Sequence, residues 1–385
     1  MKNEFEISGH LMEKIWEFAD SGKTPFYIYD TKKIQENCRE FLKIEYTPLS
    51  VNYAMMANSN PLFLKIIKQA GLKIFVNSLI HLELALDLNF RGDEIIYAAS
   101  AMDEISMRRV KSGGAKLILD SISQFELWKT MFPDTGIGIR CNIGELVVPK
   151  KTTGGYFIGK QSRMGLTINE IKSLKGNPCI VGLHIYVGTN ISEVDYFLEC
   201  YKHVTNLAEF FPKLEYLDFG GGFGSGEKKI SVFDLNSYRL KVTELMNDIA
   251  SKIGRKISLI LEPGRIIGAD AGYFVCKVTD IKEGNNQQLI GVNASSVQFP
   301  RPLFYPDSAY HPVLIMSSKH TSPDSSNRLS SIYGCSTYSR DFLARDVELP
   351  QAYIGDIVVL SHAGSYCSTA HTSFLGFPKA EEYFI

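Results

Sequence analysis

No cysteine in this 385-residue chain stands in a C-x-x-C pair. The seven present (Cys38, Cys141, Cys179, Cys200, Cys276, Cys335 and Cys367) are odd in number and widely scattered. That spacing excludes a disulfide framework and a cysteine-built zinc site, and it fits a reducing compartment. An excess of charge of one sign is also lacking: 41 Lys and Arg face 42 Asp and Glu, a formal net charge of -1. Without a basic run, nucleic acid and anionic membrane surfaces are not expected partners. No apolar stretch approaches the roughly 20 residues of a membrane span, and the N-terminal segment, acidic from Glu4 onward, has no continuous apolar core of a leader. A soluble, cytoplasmic protein is expected. Apolar residues are not scarce, at 45% hydrophobic against 22% charged, so disorder and coiled coil drop out and the length leaves room for two domains.

What the chain does have is rhythm. From residue 26 to about 265, short apolar runs rich in β-branched residues alternate with helix-period segments. Strands are expected at Phe26 to Tyr29, Leu49 to Ala54, Lys73 to Asn77, Ile95 to Ala99, Lys116 to Leu119, Gly136 to Cys141, Ile180 to Tyr186, Tyr216 to Phe219 and Ile257 to Leu261. Helices are expected at Asn60 to Ala70, His81 to Leu88, Ser192 to Phe211 and Asp234 to Ile253. Repeated β-then-α order signals a parallel sheet, and eight or nine units in this length suit a closed (β/α)8 barrel, with an open doubly wound sheet as the alternative. After Arg265 the runs Gly272 to Thr279, Gln288 to Val292, Pro312 to Met316 and Asp356 to Ser361 lack intervening helical patterns. The expected organisation is therefore a barrel over 26–265 and an all-β domain built from 1–25 plus 266–385. Ser317 to Ser331 has the composition of an exposed loop.

Two motifs carry chemistry. Gly220-Gly221-Gly222-Phe223-Gly224 follows the run Leu217 to Phe219, and consecutive glycines let backbone N–H groups converge on an anion. Glu262-Pro263-Gly264-Arg265 ends the run Ile257 to Leu261. A carboxylate there suits a protonated ring nitrogen, and the arginine suits a phosphate. Either motif alone is as well read as a plain turn or a surface ion pair. Together, each at a strand end, they favour a phosphorylated cofactor.

Around these motifs run TPFYIYD (Thr24 to Asp30), NYAMMANSNP (Asn52 to Pro61), SRMGL (Ser162 to Leu166), GLHIYVGTN (Gly182 to Asn190), FPRPLFY with YHPV (Phe299 to Val313), ARDVELP (Ala344 to Pro350) and AGSYCS with GFPKAEE near the end. In this order the chain resembles the fold-type III pyridoxal-phosphate decarboxylases, the group of diaminopimelate and ornithine decarboxylases related to alanine racemase. The resemblance implies an N-terminal eight-stranded barrel, a C-terminal β-domain, pyridoxal 5'-phosphate as cofactor, an amino-acid substrate, no metal, and a homodimer with active sites at the subunit interface. It implies phosphate contacts from Gly220, Gly221, Gly222, Gly264, Arg265 and Tyr366, and a pyridine-nitrogen partner in Glu262. Arg301 and Tyr305 take the place of groups that hold substrate carboxylate. Tyr186 stands where a histidine commonly stacks on the cofactor ring, with His184 two residues earlier. FPRPLFY and YHPV lean toward the diaminopimelate branch, whose substrate has a second polar or carboxylate end.

The departures from the family pattern fall at its chemical centre. Where the family reads Y-A-x-K-A-N and its lysine bonds covalently to the cofactor, this chain reads Tyr53-Ala54-Met55-Met56-Ala57-Asn58. A thioether forms no imine and moves no proton. Phe75 and His81 stand at positions that usually carry an aspartate and a glutamate. Thr337 stands at the catalytic cysteine position, with Cys335 two residues too early. Two origins for Met56 stay open. It is either a replacement in a lysine-bearing parent, one base change away, or a natural divergence of which Phe75, His81 and Thr337 are further signs. The expected function is a diaminopimelate-like decarboxylase impaired by Met56. The alternatives are a non-catalytic homologue that binds pyridoxal phosphate or a partner protein, and a racemase on the same scaffold.

Overall fold

The computed structural model describes residues 7–152, 155–227, 230–284, 286–317 and 327–385. The chain divides into two compact units, one of residues 35–266 and one of residues 1–34 with 267–385.

In the first unit eight parallel strands close on themselves. They are Leu49–Ala54, Lys73–Val76, Ile95–Ala98, Lys116–Leu119, Ile137–Asn142, Ile180–His184, Tyr216–Asp218 and Ser258–Leu261. Each pairs with its neighbours, and the last pairs back onto the first through Leu259 and Leu49. These are the apolar, β-branched runs of the sequence, and a strand wrapped by helices outside and filled inside reads as such a run. The intervening helices start on side-chain caps: Asn60 accepts from Leu62 N–H ahead of Pro61–Gln69, Ser78 from His81 N–H, Asp103 from Ser106 N–H and Ser121 from Gln124 N–H. Each cap satisfies an orphan donor of the first turn. Capping fixes where the loop above each strand ends and hence where its residues point.

The second unit is a mostly antiparallel sheet in the order Val313–Met316, Ile357–Leu360, Gly272–Gly284, Gln287–Val292, Arg328–Tyr333 and Phe342–Leu349. Phe26–Tyr29 joins it, antiparallel to Gly272–Gly284 and parallel to Glu381–Phe384. That strand, expected at the start of the barrel, therefore belongs to the other sheet. A four-residue run buried on both faces carries no period that names its sheet. Helix Gly9–Asp20, capped by Ser8, lays Leu11, Ile15 and Ala19 on Phe26, Ile28, Val275, Ile357 and Val359. The loop expected over Ser317 to Ser331 ends early: 318–326 lie outside the described residues, as do 1–6, and Arg328–Tyr333 is a strand with Ser330 and Ser331 buried. Ser330 Oγ accepts from the buried Gln288 amide at 3.1 Å, so a polar pair hides a sheet position that composition reads as loop.

Among the described residues, no helix is long and apolar enough to cross a membrane.

Candidate functional site

The barrel's strands bring the two chemical motifs to the same end. Phe219 leaves the seventh strand with its N–H on Ile260 O (3.0 Å), and the N–H of Glu262 donates to Gly220 O (2.8 Å), so the glycine loop and the Glu262 turn extend the pairing of the seventh and eighth strands. Gly220 and Gly222 have φ of +62° and +103°, a region that disfavours side chains. Space forbids them as well. A Cβ on Gly221 would overlap the carbonyl of Glu262, and one on Gly222 would overlap the carbonyl of Gly188. Three bare backbones therefore lie against Glu262, Gly188 and Tyr186.

Beneath this loop sits a buried cluster of titratable side chains. His184 ends the sixth strand, Asp218 the seventh, and Glu262 follows the eighth; all three are at most 4% exposed. His184 Nε2 lies 3.5 Å from Glu262 Oε2. Asp218 Oδ1 accepts from the N–H of Gly220 at 2.9 Å, which ties the acid directly to the glycine loop. Both ring nitrogens of His184 are buried without a hydrogen-bond partner, whereas the Asp218 and Glu262 carboxyls are close enough to share a proton. Buried polar atoms left in this state are costly and point to a ligand that completes them. Burial raises both carboxyls, Glu262 to about 8 and Asp218 in the same direction with the Glu262 charge as second cause. Burial likewise lowers His184 to about 4, leaving a neutral imidazole at pH 7. Arg140, on the fifth strand, is the balancing cation: its charge works against the rise at Glu262, and its guanidinium carbon lies 5.9 Å from the Tyr186 ring centroid.

Tyr186 stands just past the strand that His184 ends, not on it as expected. Its hydroxyl bonds Thr189 Oγ1 at 2.6 Å, and Phe157 packs edge-on at 4.9 Å between centroids. Gly264 is buried, and Arg265 opens the short turn Arg265–Gly268. Met56 is half-buried in the turn Met55–Ala57 that follows the first strand. That turn begins directly beyond Ala54, whose N–H donates to Pro263 O at 3.0 Å. A Cβ on Gly221 would come 3.8 Å from Pro263 Cα. The Met56 turn and the glycine loop thus flank one residue of the Glu262-Pro263-Gly264-Arg265 turn. Phe75 points into the barrel with Ile96, Ile118, Tyr216 and Ile260. His81 lies in the first turn of its helix and is lowered by burial.

The remaining expected residues lie in the β-unit. Arg301, 5% exposed, meets His311 (Nη1 to Nε2, 3.3 Å), and His311 Nδ1 lies 2.9 Å from Ser361 O. A ring that donates Nδ1–H to that carbonyl presents Nε2 as the acceptor for Arg301. Tyr305 caps the same short helical turn, its N–H on Arg301 O. Tyr366 holds φ +59°, a left-handed conformation that costs a non-glycine residue about 1–2 kcal/mol. Thr337 and Cys335 are both exposed on the loop that Asp341 anchors; its buried carboxylate accepts from Ser295 Oγ, Ser296 N–H and Ser336 N–H. The Cys335 thiol is raised by partial desolvation and by Asp341, the opposite of an activated nucleophile.

Asp218 and Arg140 were not among the expected site residues. Their signal was a charged residue inside an otherwise apolar strand, Leu217-Asp218-Phe219 and Ile139-Arg140-Cys141.

Residues 31–269 match the model of the pyridoxal-dependent decarboxylase, pyridoxal binding domain. The chain belongs to the pyridoxal-dependent decarboxylase family. It is 27% identical over 402 residues to diaminopimelate decarboxylase of Methanothermobacter thermautotrophicus, covering 99% of this chain and 92% of that protein. It is 28% identical over 390 residues to that of Aquifex aeolicus, covering 96% and 88%. A crystal structure of the Helicobacter pylori diaminopimelate decarboxylase complexed with L-lysine superposes with a TM-score of 0.83 at 20% identity, covering 96% of this chain and 93% of that one. Lysine/ornithine decarboxylase from Vibrio vulnificus, complexed with putrescine, gives 0.82 at 19%, covering 99% of each. The cofactor of this family is pyridoxal phosphate.

The residues present fit that cofactor's noncovalent needs. The buried Glu262 carboxyl suits a pyridine nitrogen, and the glycine cradle, which any Cβ would obstruct, suits a phosphate.

Proposed function

We propose that the chain is a pyridoxal-phosphate decarboxylase of the diaminopimelate type whose turnover is suppressed by Met56. Its substrate would be an amino acid with a second polar or carboxylate end, and its functional unit a homodimer. The observation that carries this reading is the convergence on Pro263, with the glycine loop on one side and the Met56 turn on the other.

Bound there, the cofactor supplies an electron sink for the pair left behind when the α-carboxylate departs as carbon dioxide. This chain's residues would do the rest. Gly220 to Gly222, Gly264 and Arg265 hold the phosphate, Tyr366 adds a hydroxyl, and Glu262 keeps the ring nitrogen protonated. Asp218 and Arg140 set the charge around Glu262 with His184 as a neutral neighbour, Tyr186 stacks on the ring, and Arg301 with Tyr305 holds carboxylate. What is lacking is a group at position 56 able to bond the cofactor and shuttle a proton.

Carbon dioxide release from meso-diaminopimelate, lysine and ornithine by Met56→Lys tests it. Activity on diaminopimelate alone supports the full reading, and activity on ornithine alone moves the chain to the other branch. If Met56→Lys binds the cofactor but releases nothing, the reading gives way to a non-catalytic binder. Sedimentation as a monomer with normal cofactor binding would overturn the dimer.

A further inference from the structure

A site that has kept its noncovalent grip but not its covalent one selects a different set of ligands. We propose that this end of the barrel binds 4'-substituted pyridine 5'-phosphates as a class, taking the amine and alcohol forms of vitamin B6 phosphate as readily as the aldehyde. The proposal rests on the assignment of the site to pyridoxal phosphate and goes beyond it.

Three points of such a ligand can be held: the phosphate, the ring nitrogen and the 4' substituent. The first two face groups indifferent to the oxidation state of the third. Backbone N–H groups at Gly221 and Gly222, where no Cβ intrudes, and the charge of Arg265 see a phosphate common to all three forms, and the buried Glu262 carboxyl sees the same ring nitrogen in each. With the phosphate on the glycine loop, the 4' substituent would lie toward the turn Met55–Ala57, which follows the strand whose Ala54 N–H bonds Pro263 O. That turn is Met-Met-Ala, with no nitrogen nucleophile. A lysine there would retain the aldehyde through a covalent bond that the alcohol and amine cannot make. A methionine removes that advantage and offers a polarisable, flexible surface that fits formyl, hydroxymethyl or aminomethyl alike. One N–H of the ammonium in the amine form is met by its own ring oxygen.

Calorimetric titration of the chain as it stands tests this with pyridoxal phosphate, pyridoxamine phosphate, pyridoxine phosphate and unphosphorylated pyridoxal. The expected result is that the three phosphates bind within about threefold of one another, and pyridoxal at least about 10-fold more weakly for want of charge-assisted phosphate contacts. Met56→Lys should break the tie, favouring the aldehyde by about 10-fold or more and yielding a borohydride-reducible adduct by mass spectrometry. A preference of about 10-fold or more for the aldehyde in the Met56 chain overturns the proposal. So does a Met56 chain that binds none of the phosphates while Met56→Lys captures the aldehyde; that result leaves the site assignment standing. If neither protein binds any phosphate, the site assignment itself falls, and the proposal with it.

Discussion

The two ends of the barrel are built from the same strands and are opposite in chemistry. At the N-terminal end the lumen is plugged. Tyr216, 3% exposed, lies across Gly138 and Gly182, where any Cβ would overlap its ring, and Ile96, Ile118 and Ile260 pack against it. Lys116 covers the plug, its ammonium 5.7 Å from the Tyr216 centroid. At the C-terminal end the same strands terminate in His184, Asp218 and Glu262, with the ring nitrogens of His184 buried and without hydrogen-bond partners. The plug satisfies itself by apolar packing and close fit. The other end is incomplete without a ligand. Active sites of such barrels lie at the C-terminal ends of the strands, and here that end carries the buried titratable groups.

The sharpest way to press on this contrast is at position 56. Met56→Lys is expected to raise carbon dioxide release from diaminopimelate by several orders of magnitude, the usual scale for a covalent catalytic group. Equal release by the two proteins would mean that the missing lysine is not what separates this chain from its relatives. Next in size, Arg265→Ala should weaken pyridoxal phosphate by about 10- to 100-fold, the scale of a charge-assisted contact of roughly 1.5–3 kcal/mol. Met56→Ala should change it by no more than a few fold. Calorimetry giving the reverse order would move the phosphate away from the glycine loop.

A mutation at the opposite end should act on the fold alone. Gly182→Ala inserts a Cβ into the Tyr216 ring and is expected to lower unfolding free energy by about 1–3 kcal/mol in urea, as overpacking does. Cofactor affinity of the folded fraction should stay the same. A lost affinity with unchanged stability would mean that the two ends are coupled.

The smallest effect is a slope. Burial raises Glu262 from its ordinary value of 4.5 to about 8. Below 4.5 the folded and unfolded chains both hold its proton. As pH rises toward 8 only the unfolded chain has released it, so stability of the cofactor-free protein falls across that window, by at most about 1.4 kcal/mol per pH unit for one group. Glu262→Gln should flatten the slope between pH 5 and 8. An unchanged slope would assign the pH dependence to Asp218, which burial shifts in the same direction.

The sequence reading succeeded where local pattern and tertiary role coincide. All eight barrel strands were legible as apolar runs, and the glycine loop and Glu262-Pro263-Gly264-Arg265 were legible because backbone freedom and charge at a strand end are local features. It failed where a residue's meaning depends on what lies across the fold. Phe26–Tyr29 is an apolar run whose partners, Gly272–Gly284 and Glu381–Phe384, are distant in sequence. Phe342–Leu349 buries only Leu343 and Leu349 and carries charge between them, so no period of two marks it as a strand. Asp218 was read as part of an apolar run because only the pairing of the sixth, seventh and eighth barrel strands brings it to His184 and Glu262.

The most direct measurement is the absorbance spectrum of the chain and of Met56→Lys, each saturated with pyridoxal phosphate. A visible imine band is expected in Met56→Lys alone, with the chain as it stands showing only noncovalently bound aldehyde. An imine band of equal strength in the Met56 chain, or none in a Met56→Lys protein that binds the cofactor, would contradict it.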